Sequence, residues 1–242
     1  MMAAKSRTTR LIGRLPAVRG RYTEDAPLAK LTRFRVGGPA EVRFRPADAE
    51  DLAAFLTAKP ADVPVTVIGV GSNLLVRDGG VPGVVVRLGR EFAAIDADGT
   101  EVGAGTAAMG LNVARVAREA GITGLEFLCG IPGTIGGALR MNAGAYGKEL
   151  ESVLIEAEAL DPGGRVHRLS REDFGFSYRH SAVPADWIFL GARLRGRPEA
   201  PEAIARRMAE VQAARADSQP IRSRTGGSTF TNPPGEKAWQ LI

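Results

Sequence analysis

The sequence predicts a mixed α+β protein, and three observations carry that prediction. Runs at 84–88, 153–160 and 188–194 read as strands, whereas 47–56, 111–120 and 202–216 carry the apolar spacing of helices. Two glycine-rich turns, at 69–73 and 130–137, are set among these segments. With 242 residues, 44% of them hydrophobic and 24% charged, the chain buries a substantial core in one to three compact units.

The first twenty residues hold Lys5, Arg7, Arg10, Arg14 and Arg19 and no acids, and no apolar run follows that is long enough for a signal peptide. No segment is apolar over the length of a membrane span. The helix over 47–56 places Asp48, Glu50 and Asp51 in its first turn, where the helix dipole favours negative charge.

Next comes Val65-Thr66-Val67-Ile68-Gly69-Val70-Gly71-Ser72-Asn73-Leu74-Leu75-Val76. The flanking runs predict a loop joining two buried strands, with Ser72 and Asn73 offering polar groups to a ligand. Alone, the glycine pair reads first as a tight turn, and the second glycine loop in the chain shifts the balance toward a ligand. Residues 92–102 are punctuated by Asp96, Asp98 and Gly99 and read as a hairpin. Gly103-Ala104-Gly105-Thr106-Ala107-Ala108 has the spacing of a dinucleotide-binding βα turn, a weak signal because a hairpin precedes it.

The richest stretch is Gly130-Ile131-Pro132-Gly133-Thr134-Ile135-Gly136-Gly137-Ala138, followed by Asn142-Ala143-Gly144-Ala145-Tyr146-Gly147. Glycines this dense let several amides turn toward one point, which is how backbone holds a diphosphate. The predicted ligand is a nucleotide or dinucleotide. ATP hydrolysis of the Walker type is disfavoured, since Ala138-Leu139 stands where that loop needs Lys and Ser or Thr.

Cys129 is the single cysteine, so no intramolecular disulfide forms and a cysteine-based zinc site is excluded. It reads as a buried space-filler in a reducing, cytoplasmic setting. His167 and His180 have no sequence-local partners for a metal, and none is expected. The net charge of +5 suits anionic ligands. Nucleic acid is not expected, because the cations are scattered and only 6% of residues are aromatic. Residues 198–201 mark a domain boundary, and the helix beyond leads into a polar loop over 219–228. Residues 233–242 start like a helix and stop on apolar residues without a cap.

Five segments occur in a telling order: Thr32-Arg33-Phe34-Arg35-Val36-Gly37-Gly38-Pro39-Ala40, the Gly-Ser-Asn-Leu-Leu-Val turn, the Gly-Ile-Pro-Gly-Thr-Ile-Gly-Gly loop, Tyr178-Arg179-His180-Ser181 and Gly227-Ser228-Thr229-Phe230-Thr231-Asn232-Pro233. Together they resemble the UDP-N-acetylenolpyruvoylglucosamine reductase family, flavoenzymes of bacterial peptidoglycan precursor synthesis, from about residue 11 to the end. The resemblance implies an FAD-binding fold of the vanillyl-alcohol oxidase type in two subdomains, followed by a partial α/β substrate domain. It divides the chain into an N-terminal extension over 1–26, an FAD-binding domain over 27–198 split near 88, and a connecting helix with the start of a substrate domain over 199–242. Family members run several dozen residues further, so the chain resembles a C-terminally truncated copy, with the family's catalytic glutamate beyond Ile242.

By the same resemblance, noncovalent FAD sits on Gly69, Gly71, Ser72, Asn73 and Leu74, on Gly130, Ile131, Pro132, Gly133, Thr134, Gly136 and Gly137, and on Asn142, Ala143, Gly144 and Ala145. NADPH supplies a hydride, which passes through the flavin to the enolpyruvyl ether of UDP-N-acetylglucosamine. Charge then develops beside the substrate carboxylate, where the obligate cation Arg179 stabilises it. Ser228 protonates the adjacent carbon as general acid. Tyr178 and Asn232 match substrate-contacting positions, and Thr231 stands where relatives commonly carry lysine. On residue type alone, Arg179 reads first as a surface ion-pair member and Ser228 as a turn or cap residue, and only the motif match reverses both readings. The resemblance further implies a monomer acting on small molecules. Two other readings stay open: another FAD-dependent oxidoreductase of the same fold, and a noncatalytic FAD- or nucleotide-binding module.

Overall fold

The computed structural model describes residues 10–219, 223–224, 230, 232–236 and 238–241. A four-stranded sheet comes first, from β1 (Arg21–Pro27), β2 (Pro39–Arg45), β3 (Val65–Ile68) and β4 (Val81–Arg87), in the order β1-β2-β4-β3. β1 runs antiparallel to β2, while β2, β4 and β3 are parallel. Helix α1 (Ala49–Ala58) makes the crossover from β2 to β3. Its start is fixed by two carboxylates: Asp48 accepts the amide of Asp51 (2.9 Å), and the buried Asp51 accepts those of Ala47, Gly20 and Arg19. Leu52, Phe55 and Leu56 of α1 then pack on Val42, Phe44, Val84 and Val86.

The second sheet has the order β11-β10-β12-β6-β5 and is antiparallel throughout. The chain enters it by the expected hairpin, β5 (Ile95–Asp98) and β6 (Glu101–Gly105), turned at Gly99 with φ +57°. Helix α2 (Gly110–Glu119), the short strand β7 (Ile122–Thr123), a 3-10 turn over Glu126–Gly130 and helix α3 (Ile135–Arg140) follow. A small hairpin, β8 (Gly144–Ala145) and β9 (Lys148–Glu149), leads into β10 (Leu154–Leu160), β11 (Val166–Ser170) and β12 (Ile188–Arg195). β13 (Arg197–Pro198) pairs with β7, and α4 (Pro201–Ser218) and α5 (Ala238–Leu241) complete the described chain.

Leu125, Leu128, Ile135 and Leu139 pack with Val102 and Leu194 of this sheet, each buried side chain contributing about 1.5–3 kcal/mol. Phe92, Leu160 and Ile188 of the second unit enter the core of the first, beside Phe44 and Phe55. α4 is held by Ile204 and Met208 and by Arg207, whose guanidinium reaches both Glu126 and Glu199.

Three expectations are corrected. The segment after the Gly-Ser-Asn turn is not a buried strand: residues 74–78 have no regular structure and Leu75 is 68% exposed. Leu74 and Leu75 of this apolar run lie at the surface, and Val76 alone packs against the first sheet. The dinucleotide reading of 103–108 fails because β6 lies between two antiparallel neighbours; Gly103 and Gly105 are bare for close packing against Asp96 and the Phe92 carbonyl. The extension over 1–26 includes most of β1, which pairs with β2 from Arg21 onward.

Candidate functional site

The two glycine loops meet. Leaving β3, residues 69–74 run beside 132–137: Ser72 Oγ donates to Pro132 O (2.9 Å), and a Cβ on Gly133 would lie 3.3 Å from Ser72 Oγ. A Cβ on Gly69 would lie 2.9 Å from Thr134 Oγ1, so a larger residue there would close the gap between the loops. Gly71 adopts φ +61° with its carbonyl accepting from Arg33 N (3.0 Å), a conformation that favours glycine. Among the described residues, no backbone carbonyl receives the amides of Val70, Ser72, Asn73, Thr134 or Gly137. Asn73 and Gly137 are exposed. N–H donors with no backbone acceptor, set on two touching loops, fit a diphosphate, and the bare glycines fit the close approach of one.

The remaining loop residues serve the frame. Gly136 is bare because a Cβ would overlap Thr106 Oγ1, and its amide donates to Thr106 O (2.9 Å). Gly130 leaves room for Tyr146 and Val211, and Gly144 for Glu149. Ile131 packs against the core, and Ala143, almost wholly buried, donates its amide to Ala138 O (2.9 Å). Ala145 lies in the β8–β9 hairpin, and Leu74 sits at the surface beside Asn73.

Asn142 is fully buried at φ +38°, and its side chain is saturated. Its amide donates to Glu149 Oε2 (2.9 Å) and Ser177 O (3.3 Å), while its oxygen accepts Glu151 N (3.0 Å). It thereby ties the end of α3 to the turn that carries Arg179. In that turn Ser177 and His180 exchange both backbone hydrogen bonds (3.2 and 3.1 Å) and leave Tyr178 and Arg179 at the tip. Arg179 is exposed and held at φ +58°, a left-handed conformation costing about 1–2 kcal/mol for a residue with a Cβ. Its guanidinium lies 6.0 Å from the Tyr178 ring centroid. No ion pair engages it among the described residues, so the surface ion-pair reading lacks a partner.

Arg140 carries no motif in the sequence, yet it fixes the segment following that turn. It donates to Val183 O (2.6 Å), Pro184 O (3.1 Å) and Trp187 O (2.8 Å) and lies 4.7 Å over the Phe189 ring. Burial lowers its proton affinity, and Asp186 opposes that shift. The end of α3 thus holds the Arg179 turn from two sides.

Ser228 and Thr231 lie outside the described residues. Asn232 accepts the amide of Ala238 (3.0 Å) and so caps α5, and no hydrogen bond among the described residues ties it to the glycine loops. Cys129 is buried with Sγ 3.6 Å from Met208 O, and burial, then Glu126, pushes its thiol up, so it stays unreactive. His167 pairs with Asp161 (2.9 Å) and stacks on Trp187. The described residues include no group of three His, Cys, Asp or Glu placed to hold a metal, and no helix long and apolar enough to cross a membrane.

Residues 40–170 match the family model described as an FAD binding domain. A UDP-N-acetylenolpyruvoylglucosamine reductase of Parvibaculum lavamentivorans is 62% identical over 242 residues, covering 100% of this chain and 78% of that protein. The crystal structure of UDP-N-acetylenolpyruvylglucosamine reductase from Thermus caldophilus superposes with a TM-score of 0.80 at 36% identity, covering 93% of this chain and 79% of that one. The 6-hydroxy-D-nicotine oxidase of Arthrobacter nicotinovorans, at 18% identity and TM-score 0.57, shares the fold over 80% of this chain and 44% of its own.

Proposed function

The chain belongs to the UDP-N-acetylenolpyruvoylglucosamine reductase family, and from that premise we propose that it carries out flavin-dependent reduction of enolpyruvyl UDP-N-acetylglucosamine to UDP-N-acetylmuramate in peptidoglycan precursor synthesis. The observation that carries the reading is the pair of glycine loops, touching at Ser72 and Pro132, whose amides at 70, 72, 73, 134 and 137 have no backbone acceptor among the described residues. FAD supplies, when bound there, two-electron hydride exchange between NADPH and the substrate's vinyl ether. Residues 69–74 and 132–137 would hold its diphosphate, with Gly137 and the amides of Val70, Ser72, Asn73 and Thr134 facing it.

Arg179 is the cation that stabilises charge developing beside the substrate carboxylate. The tightly closed turn fixes the backbone that presents this unpaired guanidinium, whose planar fork grips a carboxylate bidentately. Tyr178 shares that tip and contacts substrate. Asn142 and Arg140 are positioning residues: they act through the turn and the segment behind it. Ser228 is the general acid and Asn232 a substrate contact in this reading, both assigned by their motif. Residues 21–198, with β1 included, then make up the FAD-binding unit, and 199–242 lead into the substrate domain. A monomer in the cytoplasm suits small nucleotide substrates and a single buried thiol.

Anaerobic single-turnover spectroscopy tests the proposal. The flavin-loaded protein, in a chain of its relatives' full length, should bleach with NADPH and recover its colour with enolpyruvyl UDP-N-acetylglucosamine. Recovery with oxygen alone and none with the enolpyruvyl substrate would favour an oxidase of the same fold.

A further inference from the structure

A second group of cations lies on the first sheet, where Arg87 of β4 pairs in register with Ile68, the residue before the first glycine loop. Arg21 of β1 pairs in register with Arg45 of β2. β2 and β4 are aligned so that Arg43 meets Val85 and Phe44 meets Val86, which sets Arg45 beside Arg87 at their shared carboxyl ends. Three arginines thus form one row across three strands on one face, with Arg43 a step behind. Like charges facing each other across strands are destabilising. Among the described residues no carboxylate forms an ion pair with Arg21, Arg43, Arg45, Arg87 or Arg90. Glu91 shares the space over Gly89 with Arg45 without forming an ion pair with it.

Three further observations show that this row surrounds a place rather than a flat surface. Arg45, Arg87 and Arg90 line a cavity of about 330 Å³ with Leu88, Gly89, Ala93 and Ala107. Arg43 Nε is buried with no hydrogen-bond partner, and its Nη2 reaches only Thr23 Oγ1 at 3.4 Å. Burial, then the charges of Arg43 and Arg45, lowers the proton affinity of Arg87. A buried donor left unmade is costly, and so is a half-buried cation beside two others. The second cost falls when an oxyanion with several acceptors enters the cavity beside Arg45, Arg87 and Arg90. The location agrees, since ligands of open sheets with parallel strands bind outside the strands' carboxyl ends.

We propose that this cavity binds the phosphate group of a small phosphorylated ligand, up to about a mononucleotide in size. Guanidinium forks match phosphate oxygens bidentately, and the volume lies at the small end of ligand sites, about 300–1,000 Å³. The bound phosphate belongs to a ligand separate from the dinucleotide on the glycine loops. Arg87, Arg45 and Arg90, the three cations that line the cavity, grip it.

The test is calorimetric titration of pyrophosphate, and separately of AMP, into the protein saturated with FAD, at low ionic strength with and without competing sulfate. One saturable site is expected, weakened about tenfold or more in Arg87→Met and in Arg45→Gln, with flavin affinity unchanged in both. Arg87→Met keeps the apolar stem, so without phosphate its thermal midpoint should rise above wild type, and the rise that pyrophosphate gives wild type should disappear. A purely structural arginine would show the opposite, a lower midpoint. The proposal is overturned by absence of saturable binding to the FAD-loaded protein, by equal binding in the variants, or by loss of flavin in them, which would assign the row to the dinucleotide itself.

Discussion

Gly136 and Gly137 are neighbours in sequence, and the structure gives them opposite jobs. A Cβ on Gly136 would overlap Thr106 Oγ1 and lie 3.3 Å from Thr106 O. Thr106 is buried and its amide is bound to Leu190 O (2.9 Å), so its backbone is held against this overlap. Overpacking of this kind costs about 1–3 kcal/mol, and Gly136→Ala should lose that much stability in the flavin-free protein. A Cβ on Gly137 meets nothing nearer than Thr134 Oγ1 at 3.8 Å, in an exposed turn of α3. Gly137→Ala should therefore raise flavin-free stability by about 0.5–1 kcal/mol, the helical advantage of alanine over glycine. Its methyl group enters the diphosphate's space, and FAD affinity should fall about tenfold or more. Urea unfolding of flavin-free protein and fluorescence titration with FAD separate the two effects. Thr106→Ala should restore the stability of Gly136→Ala by removing the overlapping oxygen. Gly136→Ala that is fully stable yet cannot hold FAD would place the phosphates on Gly136 and refute the division.

Glu126→Ala removes the acceptor of Thr123 Oγ1, Gly124 N and Arg207 Nε, and should destabilise by no more than the buried-pair figure of about 3–5 kcal/mol, since Arg207 keeps Glu199 and reaches solvent. Burial pushes the Glu126 carboxyl up, but its hydrogen bonds outweigh this and hold it below the usual range. Its contribution is thus present above the unfolded value of about 4.3 and lost as pH falls through the folded one; urea midpoints from neutral to acid pH should show that loss, and Glu126→Gln should flatten it. Arg179→Ala, in a chain of the relatives' full length, should leave flavin reduction by NADPH unchanged and slow reoxidation by the enolpyruvyl substrate about 100-fold, read by stopped-flow absorbance. Equal slowing of both steps would remove Arg179 from its role. Arg140→Met leaves three carbonyls without their donor and should slow reoxidation while lowering the urea midpoint.

The strands and helices were legible wherever a buried face repeats with a fixed period. The strand read over 188–194 is β12, and the helix read over 202–216 is the core of α4. Residues 74–76 misled because an apolar run looks the same whether it is buried or lies across a surface. The glycine loops were legible as loops, but sequence cannot tell a glycine kept bare for a ligand from one kept bare for a neighbour. Gly136 and Gly130 answer to Thr106, Tyr146 and Val211, residues distant along the chain. Asn142 was found for its motif, and its place under the Arg179 turn is a tertiary fact with no local signal. Arg140 and the arginine row were invisible for the same reason: their meaning depends on which strands become neighbours.

The central claim, that the paired loops hold a flavin dinucleotide, is tested most directly by absorbance spectra of the purified protein before and after denaturation. The account predicts a yellow protein with about one flavin per chain, released into the supernatant on unfolding and regained on titrating the flavin-free protein with FAD. A folded protein that is colourless and gains no flavin absorbance from FAD would contradict it.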